Sequence, residues 1–87
     1  MLEEFIGEQV VIDMSSLYVC IGTLKRIDET FLELKSADLH DLRDTETTRE
    51  NYVASSALTG VKRNRRRVLL RRSEMVAITL LSDIVDG

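Results

Sequence analysis

Apolar residues change their spacing sharply near the start of the chain. Leu2, Phe5 and Ile6 stand at i, i+3 and i+4 and are followed by Gly7, which predicts about one and a half turns of helix, a lid with one apolar face and a glycine stop. From Val10 the period becomes two. Val10, Ile12 and Met14 alternate with Val11 and Asp13 up to the Ser15-Ser16 turn, the signature of a half-buried strand. A second strand is expected from Leu17 to about Ile27. Both of its alternating sets are apolar, Leu17, Val19 and Ile21 against Tyr18, Cys20 and Leu24, so it is covered on both faces. Gly22 interrupts it, and a glycine there suits a sharp bend or close backbone approach, as in a short sheet curling into a barrel.

Asp28-Glu29-Thr30 reads as a turn and Phe31 to Lys35 as a third strand. Residues 36 to 61 are harder to read. A capping box from Thr47 to Glu50 can open a helix through Tyr52, Val53, Ala54 and Ala57 that ends at Gly60, but its apolar face is thin. An irregular excursion or a lengthened hairpin fits as well. So long a connection in a small domain is a place where function or an interface often lies. Arg66 to Arg72 reads as a fourth strand around Val68, Leu69 and Leu70, Ser73-Glu74 as a turn, and Met75 to Leu81 as a fifth strand. The chain has no proline and four glycines, so its elements are few and sharply punctuated.

The length, 87 residues, admits one domain, of which folding buries only roughly 60% of the unfolded surface. Cys20 is the one cysteine and His40 the one histidine, which excludes a disulfide and a structural zinc site. Subunit association is then the remaining route to further burial. No apolar run reaches the length of a membrane span, and Met1-Leu2-Glu3-Glu4 has no basic leader region. The expectation is a soluble cytoplasmic protein with no membrane partner. The formal net charge of -3 conceals an asymmetry: residues 1 to 61 carry twelve acids and five bases, whereas residues 62 to 72 carry seven bases and no acid. Such a segment can hold phosphates, or it can pair with the acids of 38 to 50 on the same or a neighbouring chain.

With these elements in order, the spacing resembles that of the Sm and Sm-like (LSm) family. The helix, Gly7, the strand through Val10, Ile12 and Met14, then Gly22-Thr23-Leu24 and Asp28 follow the family's first motif without a gap. Leu69-Leu70-Arg71-Arg72-Ser73-Glu74-Met75-Val76-Ala77-Ile78 is similar to the second, with Arg72 where glycine is expected. The resemblance covers nearly all of the chain outside residues 36 to 61. It implies a mainly β fold, a short N-terminal helix followed by a strongly bent five-stranded Sm-like (SH3-like) barrel. It also implies homo-oligomeric rings in which the fourth strand of one subunit pairs with the fifth of the next. The apolar edges of so small a domain agree with this, since such edges must pair or aggregate.

The resemblance further implies binding of single-stranded RNA, commonly uridine-rich. In the family a flat side chain two residues after the Asp stacks on the base, an Asn four residues after it reads the base edge, and the second-motif Arg closes the sandwich. Here those first two positions hold Thr30 and Leu32. If a one-residue bulge shifts the register, as the alternation of Leu32 and Leu34 hints, they become Phe31 and Glu33, and Glu33 would repel phosphate. Neither register supplies the Asn. The candidate RNA-binding residues are therefore Arg71 and Arg72, with Thr30 or Phe31, and Arg65 and Arg66 on an outer face. Weak base selectivity is expected.

Other residues point to bland roles. His40, beside Asp38 and Asp41, reads as a solvated loop residue, and Cys20 as a small core residue. Thr47-Thr48 and Ser55-Ser56 read as caps and loop residues, because no base accompanies them. No cofactor and no enzymatic activity are expected. Two classes of function remain: an RNA-binding ring, and a structural or protein-interaction ring in which the basic segment pairs with Asp38, Asp41, Asp44, Glu46 and Glu50 of a neighbour.

Overall fold

The computed structural model describes residues 1–44 and 46–85. A 3-10 turn over Leu2–Phe5 is followed by strands β1 (Gln9–Met14), β2 (Tyr18–Ile27) and β3 (Phe31–Asp41), helix α1 (Arg49–Thr59), and strands β4 (Arg65–Arg71) and β5 (Met75–Leu80). Two more 3-10 turns cover Arg72–Glu74 and Leu81–Asp83. The strands form one antiparallel sheet in the order β4-β3-β2-β1-β5. β4 pairs with β3 and β5 with β1, so these two strands are the edges and no ladder joins them.

Strand β2 is covered on both faces, as its two apolar sets require. Val10, Ile12, Cys20, Leu24, Leu32, Leu34, Ala37 and Leu70 form one cluster, against which Phe5 of the N-terminal turn packs. Val11, Val19, Ile21, Val53 and Leu81 form the other. The second exists because α1 lies over the outer face of the sheet and contributes Val53. The N-terminal lid is therefore present, but as a 3-10 turn and not an α-helix. Gly7, at φ +88°, reverses the chain there, and its N–H donates to the Leu24 carbonyl at 2.7 Å.

Strand β3 runs to Asp41, well past the expected end at Lys35. A bulge explains the difference. Ile21 pairs with Asp38 and Thr23 with Lys35, so Gly22 faces both Ser36 and Ala37. Ser36 takes a left-handed backbone, φ +50°, to make the extra residue fit. The core-facing phase of β3 consequently switches from Leu32 and Leu34 to Ala37 and Leu39, and a period of two no longer runs through the strand. Gly22 sits at the closest approach: a Cβ there would lie 2.8 Å from Ala37 Cβ and 2.9 Å from Ala37 Cα. The expected close backbone contact is thus found.

Residues 36 to 61 contain both the lengthened hairpin and the helix. The N-cap is Thr48, one residue later than expected: its hydroxyl accepts the Asn51 N–H at 3.2 Å, so Asn51 and not Glu50 stands at the third helical position. The helix ends at Gly60, whose N–H donates to the Ser56 carbonyl. Leu17 lies outside β2 and is exposed, while β4 and β5 each sit within one residue of expectation. The Ser73-Glu74 turn is the end of a 3-10 turn that begins at Arg72.

Candidate nucleic-acid interface

The turn between β2 and β3 is shaped by Asp28. Its carboxylate Oδ1 accepts the N–H groups of Phe31 at 2.6 Å and Thr30 at 2.8 Å, and its own N–H donates to the Phe31 carbonyl at 3.0 Å. The two donated N–H groups, Phe31 foremost, hold the Asp28 carboxyl below the usual carboxylate range. The turn between β4 and β5 docks against this one. The Arg72 N–H donates to the Thr30 carbonyl at 2.8 Å, and Arg72 Nη1 donates to the Asp28 carbonyl at 2.7 Å. Thr30, Phe31, Arg71 and Arg72, far apart in sequence, are thereby brought together.

The register left open by the sequence is decided by the second irregularity of the β2–β3 ladder. Leu24 pairs with Leu34 but Arg26 with Glu33, so Lys25 is an extra residue on β2. Leu32 and Leu34 are fully buried. Phe31 and Glu33 accordingly point away from the core into a cleft of about 220 Å³ that Arg26, Arg67 and Leu69 also line. Phe31 pairs with Arg71 across the ladder and lines this cleft, and Thr30 is left exposed at the turn.

Glu33 does not present a bare negative charge. One carboxylate oxygen accepts Arg26 Nε at 2.8 Å and lies 2.6 Å from Arg26 Nη2; the other accepts Arg67 Nε at 2.8 Å, with Lys25 Nζ at 3.9 Å. The hydrogen bonds from Arg67 and Arg26 hold its carboxyl below the ordinary range. The carboxylate that the sequence suggests would repel phosphate is thus flanked by two guanidinium groups and an ammonium group, which outnumber its single negative charge. No sequence signal links Arg26 to Glu33, because their pairing depends on the Lys25 bulge.

Arg65 and Arg66 are not part of this cluster. They lie at the other end of β4, where with Ser36, Arg63 and Asn64 they line a second cleft of about 360 Å³. Seven residues of strand place the two ends of β4 about 20 Å apart. Asn64 fixes the approach to β4: its side chain accepts the Leu39 N–H at 2.9 Å and donates to the Leu39 carbonyl at 3.0 Å, extending the β3 ladder. Among the described residues, Lys62, Arg63, Arg65, Arg66, Arg71 and Arg72 enter no ion pair. Among the described residues no ion pair joins the acids of 38 to 50 to the basic segment. Asp41 is instead paired with Arg43 at 2.7 Å, and Asp38 accepts the Tyr52 hydroxyl.

Cys20 is free and fully buried, and desolvation pushes its thiol up to about 12, in keeping with a core role. His40 is not a loop residue. It stands on β3, half-buried, with its ring stacked on Tyr52 at 4.0 Å and 10° between planes. Among the described residues no group of three or more His, Cys, Asp or Glu is placed to hold a metal, and no helix is long and apolar enough to cross a membrane.

The bent five-stranded sheet, opened by a short N-terminal turn and carrying the β2–β3 and β4–β5 turns side by side, defines a protein of the Sm fold. Its similarity to a solved Sm protein of Pyrococcus abyssii, in complex with a uridine heptamer, extends over 91% of this chain and 90% of that one, with a TM-score of 0.62 and 14% sequence identity. No protein-family model and no curated protein matches the sequence.

Proposed function

We propose that this chain is a ring-forming protein that binds single-stranded RNA with weak base selectivity at the junction of the β2–β3 and β4–β5 turns. The observation that carries the reading is the juxtaposition there of Phe31 and Arg71 at the end of a basic segment in which, Arg67 apart, the cations enter no ion pair among the described residues. A flat ring beside a guanidinium is suited to stack on an unpaired base, and neighbouring cations track the phosphates. The likeness in fold to a protein solved with a uridine heptamer supports the same ligand class. Weak selectivity follows from the cleft's chemistry. Where the family places an Asn that both donates and accepts, Glu33 is engaged by Arg26 and Arg67, which leaves few neutral edge contacts to tell one base from another.

Ring formation is supported by the two edges. Leu69 on β4 is 43% exposed and Val76 on β5 is 69% exposed, and each strand has one unpaired side that a second copy of the other can complete. The test of RNA binding is a titration of labelled uridine- and adenine-rich oligomers at several salt concentrations. Arg71→Ala should weaken both alike and reduce the magnitude of the salt slope by about 0.7, while Thr30→Ala changes little. Tight, salt-insensitive, uridine-selective binding refutes weak selectivity. Absence of binding at low salt refutes the RNA reading and leaves a protein-interaction ring.

A further inference from the structure

The groove between α1 and the far end of β3 lies outside the site described above and has no counterpart in the motifs of the chain. Its volume is about 550 Å³, and His40, Tyr52, Asn51, Lys62 and Arg63 are among its lining residues. We infer that this groove is a second contact for single-stranded RNA, with a base stacked on the His40–Tyr52 pair and the adjoining phosphates held by Lys62 and Arg63; the inference rests on the RNA-binding reading.

The aromatic pair is built and not incidental. The two rings come from different elements, β3 and α1, yet lie 4.0 Å apart and within 10° of parallel. Tyr52 is fixed by donating its hydroxyl to Asp38, which is itself 5% exposed. Burial and that carboxylate push the Tyr52 hydroxyl above its ordinary pKa, so it stays neutral and donating. A half-buried platform held by such a bond stacks a base with little loss of its own freedom. Asn51, exposed at the start of α1, adds an amide that both donates and accepts within reach of a base edge.

Two cations line the same groove. Lys62 and Arg63 are exposed and enter no ion pair among the described residues. Arg63 and Asn64 line both this groove and the neighbouring cleft of Arg65 and Arg66. A strand seated on His40 and held by Lys62 and Arg63 therefore continues onto two more guanidinium groups, those of Arg65 and Arg66. An aromatic platform joined to a basic track is the arrangement that binds single strands without reading their sequence. Asp38 opposes a phosphate at the floor of the groove, which places the base inside and the backbone at the Lys62–Arg63 rim.

The experiment uses the full chain with a short oligouridylate that covers one site and a longer one that reaches both ends of β4. Lys62→Ala/Arg63→Ala changes exposed side chains only, so folding is preserved. It should reduce affinity for the longer oligomer about tenfold and the magnitude of the salt slope by about 1.4, two contacts of about 0.7 each. His40→Ala should reduce affinity about fivefold or more with the salt slope unchanged, and His40→Phe should restore it, since stacking requires a flat ring and not a charge. The short oligomer should bind the unmodified chain at two sites per subunit and either groove-damaged variant at one. If these variants match the unmodified chain while Arg71→Ala still weakens binding, the groove is not an RNA contact and the turn site stands alone. If the unmodified chain binds no oligomer, both readings fall. Binding of oligoglutamate that needs Lys62 and Arg63, with no effect of the double variant on RNA, overturns the inference in favour of an acidic protein partner.

Discussion

Gly22→Ala is expected to destabilise the protein, and the sign of the effect is itself informative. A glycine inside a strand is ordinarily a liability, and replacing it with alanine stabilises by about 0.5–1 kcal/mol because the unfolded chain loses freedom. Gly22 does not need a left-handed backbone, so no conformational strain opposes the change. What opposes it is space. The new Cβ would stand 2.8 Å from Ala37 Cβ, 2.9 Å from Ala37 Cα and 3.2 Å from the Lys35 carbonyl oxygen, whereas carbon atoms in contact prefer about 3.5–4.0 Å. Two of those atoms, Ala37 Cα and the Lys35 carbonyl oxygen, are backbone of β3, and the flanking pairs Ile21–Asp38 and Thr23–Lys35 hold both strands in place. Relief requires the strands to part by several tenths of an ångström beside the buried core residues Ile21 and Ala37, an overpacking cost of about 1–3 kcal/mol. For a domain of this size that is a fall in Tm of roughly 5 to 20 °C. The assay is thermal and urea denaturation followed by circular dichroism at fixed protein concentration, because the proposed subunit association would make Tm concentration-dependent. Gly22→Ala/Ala37→Gly removes the Cβ–Cβ overlap but leaves the Ala37 Cα and Lys35 contacts, so it should recover stability only in part. An unchanged or raised Tm for Gly22→Ala would refute the close approach of β2 and β3 and the bend built on it.

Val76 is largely exposed in the single chain, so Val76→Lys should lower the native mass measured by light scattering while leaving the far-ultraviolet spectrum unchanged; an unaltered mass removes β5 from the subunit interface. Asp41 is held at about 2 by Arg43, below its ordinary 3.8. A depressed carboxyl stabilises the fold fully above 3.8 and loses that contribution as the pH falls toward about 2, so the urea midpoint should decline across this window and Asp41→Asn should flatten the decline. Glu33→Gln removes the anion shared by Arg26 and Arg67; it should raise affinity for every oligomer tested and steepen the salt slope by about 0.7, and a loss of affinity would show that Glu33 serves the site as a ligand group.

The turn site was legible in part. Asp28 and Arg71 are marked by the resemblance of their segments to the two Sm motifs, and Arg72 by its place beside Arg71 in a basic segment. Phe31 against Thr30 was undecided, because the choice depends on which strand carries an extra residue, and a bulge at Lys25 leaves no mark in a sequence that alternates normally on either side of it. The clamp on Glu33 was missed for the same reason. His40 was misplaced with its whole segment: once Ser36 breaks the period of β3, the residues after it lose the alternation that marks a strand.

Local spacing along the chain determined the order and type of most elements. β1 and β2, the two edge strands and the lid before Gly7 follow from apolar period and glycine punctuation, which act over a few residues and need no partner. Helix α1 was only one of several readings, since its thin apolar face is stabilised by the outer surface of β1 and β2, through Val53 against Val11, Val19 and Ile21. The tertiary structure alone decided which cations are paired, which ring faces the cleft and how His40 meets Tyr52. Those are contacts between strands and helix far apart in sequence, and bulges that shift one strand by a residue change all of them at once.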